Sequence, residues 1–213
     1  MKSSKELFTS AILVLFAAAA YAAHVDMKDP RRALGREDDI RVDAELMQDA
    51  VGSNSAISVT YQIENRSSAP VAIADKLSTA SYDPDTQTIV LSIGSEIPTT
   101  KTIPHLTLIN PGERRVLTAG AVVHVAVARG PFSAVPQFVK IEVNFLRDVA
   151  PFAQALALQA KSGISTLPLG NELFDQWVQS NDSIYLNSIP IRWKGETKDI
   201  AGAEASTPSG MSF

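Results

Sequence analysis

Three histidines and no cysteine set the reactive inventory of this 213-residue chain. Nucleophilic catalysis needs a serine or cysteine activated by a base, most often histidine. Cysteine is absent and no Gly-x-Ser-x-Gly elbow occurs. The 11 glycines are scattered and form no phosphate-cradling loop. The 23 acidic residues nominate no particular pair for glycoside chemistry. The chain therefore reads as a non-enzyme. Metal binding rests on His105 and His124, because His24 lies at the expected mature N-terminus. Useful sites converge three or four ligands, so these two histidines are weak metal candidates. His124 alternates with Val123, Val125 and Val127, which puts it on the less buried face of a strand. "DPDTQT" carries Asp83 and Asp85 but lacks the third acid, the central glycine and the closing glutamate of a calcium loop. It reads as a turn, and no cofactor is expected.

Binding surface is the remaining chemistry. "NELFDQWVQSN" predicts a helix, with Asn171 as its cap, Glu172 in its first turn, and Leu173, Phe174, Trp177 and Val178 on one apolar stripe. "PFAQALALQAK" fits either a strand or an Ala-rich helix after Pro151. Phe152, Phe174 and Trp177 are the partner-binding candidates, since aromatic anchors supply much of the affinity of an interface. The competing reading packs the same stripe on a sheet.

The elements that would carry these residues begin beyond a distinct leader. Lys2 and Lys5 precede "LFTSAILVLFAAAAYAA", and the Ala20-Tyr21-Ala22 triplet completes the parts of a secretory signal peptide, with cleavage expected after Ala22. The alternative is an uncleaved anchor, though the 17 residues from Leu7 to Ala23 are short for a membrane span. Export to a bacterial periplasm or beyond follows on either reading, with membrane contact only if the leader stays. Without cysteine the exported part has no disulfides, so a packed core must hold it. Dropping Lys2, Lys5 and Glu6 leaves 17 basic against 22 acidic residues, a net charge of −5. That balance argues against nucleic acid as a partner.

Residues 23–39, with Pro30, Gly35 and mixed charges, read as a linker. Period-two alternation then begins. "IRVDAELM" sets Ile40, Val42, Ala44 and Leu46 inward, "ISVTYQIE" does so with Ile57, Val59, Tyr61 and Ile63, and "QFVKIEVNFL" with Val139, Ile141, Val143 and Phe145. Further runs lie at Val71–Ala74, Gln87–Ile93, from Glu113 onward, and at Ala121–Ala128. Residues 40–147 thus hold about seven short strands separated by turn signals, the pattern of an all-β sandwich. "SIYLNSIPIRW" returns to alternation and should pair with the sheet.

"IENRSSAPVAI" reads as a corner, with Pro70 opening the next strand. It resembles the Asn-x-Ser-x-x-Pro-Val corner of bacterial immunoglobulin-like modules, and "LINPGERRVL" resembles their Pro-Gly-Glu turn. The resemblance covers about half the chain and implies an immunoglobulin-like β-sandwich. Periplasmic pilus chaperones carry two such domains; this chain is short for both, and none of their functional residues maps onto particular positions here. The expected organisation is a sandwich over 40–194, with a helix-containing insertion or extension at 150–180 and a flexible tail over 195–213. The expected function is a binding or assembly module that recognises another envelope protein through a sheet edge or a hydrophobic face. The alternative is an exported metal- or small-ligand-binding protein.

Overall fold

The computed structural model of this chain describes residues 29–98, 102–126, 134–162 and 167–194. The expected signal peptide and tail lie outside them. In chain order the strands are β1 (Arg32–Glu37), β2 (Ile40–Leu46), β3 (Ala50–Val51), β4 (Asn54–Asn65), β5 (Val71–Ile73), β6 (Ser78–Asp83), β7 (Thr88–Ile93), β8 (Thr102–Ile103), β9 (Thr107–Ile109), β10 (Arg114–His124) and β11 (Phe138–Leu146). A 3-10 turn (Ala150–Phe152) leads into α1 (Ala153–Ser162); β12 (Leu167–Pro168), α2 (Asn171–Ser180), β13 (Asn181–Tyr185), β14 (Ile189–Pro190) and β15 (Arg192–Trp193) complete the order. The described chain is mainly β, with several sheets and two helices.

One sheet has the order β1-β2-β4-β10, antiparallel throughout. A second has the order β6-β7-β11-β5-β9, with β13 and β14 along the other side of β11. Within it β7 and β11 run parallel. The alternating apolar sets of β2, β4 and β11 meet in one core, where Ile40, Leu46, Ile57, Ile63, Val139 and Ile141 are all fully buried. Burying each such side chain contributes about 1.5–3 kcal/mol.

β5 is buried on both faces because it separates two cores. Val71 and Ile73 join the main one, while Ala72 and Ala74 face a smaller one under the helices. The small side chains on the second face let the helices approach. Trp177, Phe152, Leu146, Leu106 and Ile103 fill that smaller core. The segment left open between strand and helix is α1, which turns Ala155 and Gln159 inward.

The structure corrects several expectations. Residues 32–37, expected within a linker, form β1. Its inward residues are Ala33 and Gly35, too small to register as hydrophobic alternation. Gly35 is required there: a Cβ would lie 2.6 Å from Ile184 Cγ2. The turn to β2 uses Asp38 at φ 46, a left-handed conformation that aspartate tolerates. Arg114–His124 is a single strand paired along its whole length with β4, rather than one run from Glu113 and another at Ala121–Ala128. β6 was hidden in sequence by its half-exposed, serine-rich composition. Asn171 is the first helical residue of α2, and Gly170 stands at the cap without a side-chain bond.

The chain does turn between sheets over residues 65–70. β4 lies in the first sheet and β5 in the second, and Asn65 joins them with no exposed surface. Its Nδ2 donates to the carbonyls of Ala69 at 2.8 Å and Ile109 at 2.9 Å. Its Oδ1 accepts from Ser67 N–H at 3.0 Å and Ser67 Oγ at 2.7 Å. Ser67 therefore shapes the corner as well as wetting it.

Candidate interaction face

Phe152 and Trp177 do not present themselves to a partner. Both are buried, with ring centroids 5.7 Å apart in an edge-to-face arrangement. The indole N–H donates to the Ser95 carbonyl at 3.0 Å, which satisfies the one polar atom burial would leave stranded. Phe174 is half-buried against the same core. Of the predicted stripe, Val178 alone is exposed, at 44%. The anchor reading of Phe152 and Trp177 is overturned by burial, because these rings hold the helices to the sheet.

The two histidines stay apart in their contacts. His124 is exposed and its Nδ1 lies 3.0 Å from Asn54 Oδ1 on the neighbouring strand. His105 Nδ1 is 3.9 Å from Asp75 Oδ1, a buried carboxylate that also accepts from Thr107 Oγ1 at 2.8 Å and pairs with Lys76 at 3.0 Å. Gln159 of α1 positions this turn by donating to the Pro104 carbonyl and accepting from the Leu106 N–H. Among the described residues no group of three or more His, Asp or Glu side chains could hold a metal ion. Tyr61 lies in the main core with a hydroxyl that has no hydrogen-bond partner among the described residues. Burial raises its pKa strongly, and the charge of Asp75 adds to the rise.

The first sheet offers little free edge. β6 lies beside β10, where Ser78 Oγ donates to the Gly120 carbonyl at 2.6 Å. On the opposite flank the Asn187 N–H donates to the Leu34 carbonyl of β1 at 3.3 Å. β10 opens with Arg114 and Arg115, charges that discourage edge pairing there.

Its outer face is different. The antiparallel register aligns Val116, Thr118, Gly120 and Val122 of β10 with Gln62, Thr60, Ser58 and Ala56 of β4. None of these eight positions carries a charge. Val116 is 66% exposed, Val122 50%, and Met47 beside them 58%. A hollow of about 290 Å³ lies among Met47, Ser58, Thr60, Thr118 and Gly120. Gly120 creates the depression, and a Cβ there would lie 2.9 Å from the Ile57 carbonyl oxygen.

Charge resumes at the border of the face. Glu64 accepts from Arg66 at 2.8 Å and Arg114 at 2.9 Å. The Arg66 hydrogen bond, with help from Arg114, holds its carboxyl below the usual range despite the opposing effect of burial. Arg41 pairs with Asp43 at 3.1 Å and Arg32 with Glu45 at 3.1 Å. The uncharged strip is thus bordered by paired charges along the β2 flank and at the Glu64 end, an arrangement compatible with the charge-depleted centre and polar rim of protein interfaces.

Sequence reasoning missed Val116, Thr118, Gly120 and Val122 because β10 is apolar on both faces. Leu117, Ala119, Ala121 and Val123 face the core, so alternation alone did not tell inside from outside. The pairing of β10 with β4 supplies that information. No protein-family model, curated protein or solved structure matches this chain.

Proposed function

We propose that this chain is an exported, non-enzymatic binding module with an immunoglobulin-like sandwich, and that it recognises another envelope protein through the outer face of the β1-β2-β4-β10 sheet. The observation that carries this reading is the uncharged β4–β10 face with Val116 and Val122 exposed on it. Leaving such residues in water has a recurring cost that a partner removes; fully covering a valine contributes about 1.5–3 kcal/mol. The face is favoured over an edge because both flanks of this sheet already abut strands of the other. Export rests on the leader sequence, and among the described residues no helix is long and apolar enough to cross a membrane.

The test places a photo-crosslinking amino acid at Val116 in the cell-expressed, full-length chain, with Ser81 on β6 as the control position. One defined envelope protein crosslinked from 116, and lost when Met47 and Val122 are changed to Ser together, supports the reading. Equal labelling from Ser81, or a crosslink that survives the Met47 and Val122 changes, sinks it.

A further inference from the structure

Away from that face, a cleft of about 380 Å³ opens where the end of β11, the last turn of α2 and the start of β13 meet. Its lining is polar throughout: Arg147, Asp148, Gln176, Gln179, Asn181 and Asp182, with Ser180 between them. We propose that this cleft binds a neutral saccharide of one or two rings.

The floor is fixed in advance. Arg147 Nε donates to Asp182 Oδ2 at 2.9 Å, and the same guanidinium reaches Asp38 on the β1–β2 turn at 3.3 Å. The Arg147 N–H donates to the Ser180 carbonyl at 2.8 Å, tying β11 to the end of α2. Asp182 Oδ1 accepts from the Ser183 N–H at 2.9 Å, so both its oxygens are engaged. Asn181 turns its amide to the Ser95 carbonyl.

The walls remain free. Gln176 and Gln179 sit three positions apart on one face of α2, and neither amide has a partner among the described residues. Asp148 uses one carboxylate oxygen on the Ala150 N–H at 2.9 Å and leaves the other open.

Ligand class follows from this chemistry. An apolar molecule finds no apolar side chain in the lining. An anion meets Asp148, Asp182 and the carbonyl-rich C-terminal end of α2, which all repel it. A cation is drawn by Asp148 and the helix end and opposed by Arg147, whose charge Asp182 and Asp38 offset. Titration with lysine methyl ester separates it from a neutral ligand. Planar groups that both donate and accept, or accept at two points, match adjacent hydroxyls, each of which also donates and accepts. A rigid floor with two free amides above it limits the ordering cost of such binding. The volume falls in the range of small-molecule sites, roughly 300–1,000 Å³.

The test is amide NMR of the folded, full-length chain, titrated separately with glucose, N-acetylglucosamine and maltose. Saturable shifts in the side-chain amides of Gln176 and Gln179, absent from Gln62 on the first sheet, are expected for at least one sugar. Q176A/Q179A should abolish the response of the neighbouring Asn181 and Asp182 backbone amides while its melting temperature stays unchanged. No saturable shift with any of the three sugars overturns the assignment. So does a matching response to lysine methyl ester or to inorganic phosphate, since either means that charge rather than hydroxyl geometry governs the cleft. Crosslinking from Val116 is read independently, so failure here leaves the interaction face untouched.

Discussion

Asn65 and Ile109 lie 44 positions apart in sequence and are joined by a 2.9 Å hydrogen bond from a fully buried side-chain amide to a main-chain carbonyl. The same amide group closes its own corner on Ala69 and Ser67, so one side chain fixes the step from first sheet to second. Asn65→Ala removes these bonds and strands the Ile109 carbonyl. A loss of roughly 2–3 kcal/mol is expected, measured by denaturant unfolding. A change under half a kilocalorie would mean that the corner is held elsewhere.

Trp177→Ala opens a void under both helices and removes the edge-to-face contact with Phe152. Expected destabilisation is about 3–5 kcal/mol. Phe174→Ala, on a half-buried ring, should cost roughly 1–2 kcal/mol. Thermal melts of the two variants compare them directly. A Trp177→Ala protein with unchanged stability would restore the anchor reading.

Glu64 has its carboxyl pKa lowered, first by Arg66 and then by Arg114. Its contribution to stability is therefore present above the ordinary glutamate pKa and lost as pH falls through the lowered, folded-state value. Glu64→Gln should cost about 1 kcal/mol at neutral pH, kept small because both arginines are solvent-exposed. Stability curves of the two proteins should converge in acid. Parallel curves down to the most acidic folded point would refute the assignment.

Glu142 behaves in the opposite sense. Burial raises its carboxyl pKa, and the neighbouring Glu96 raises it further. A raised folded-state pKa means that the protein is relieved below the ordinary glutamate pKa and penalised as pH rises through the folded value. Glu142→Gln should therefore melt higher than the parent at neutral pH, with the gap closing in acid. A lower melting temperature at neutral pH would show that the carboxylate is needed.

The β architecture was legible where strands have one wet face. Ile40–Leu46, Ile57–Ile63 and Val139–Phe145 alternate in sequence, and each buries the side that its pattern indicates, with Asn144 buried on the other side of the third. α2 was legible from its stripe, and the Asn65 corner from its turn residues. β1 was not, because its inward residues are the small Ala33 and Gly35, the latter required by its closeness to Ile184. The outer face of β4 and β10 was illegible for a related reason: Val116 and Val122 resemble core residues until the register with β4 turns them outward. The 147–182 cleft draws on two separated segments, 147–148 and 176–182, so no local pattern marks it.

The short ladder between β3 and β15 bears on the order in which the molecule forms. Arg192 and Trp193 pair in parallel with Ala50 and Val51, and Arg192 also bonds Asp49 from 143 positions away. β11 likewise awaits β13 and β14 before its second side is covered. A chain emerging from its N-terminus thus delivers half of these late pairings long before the other half exists. Distant partners close slowly, after their loops have been drawn together. The four-stranded sheet can therefore close early, whereas the last side of β11 and the β3–β15 ladder are completed only by the final described residues.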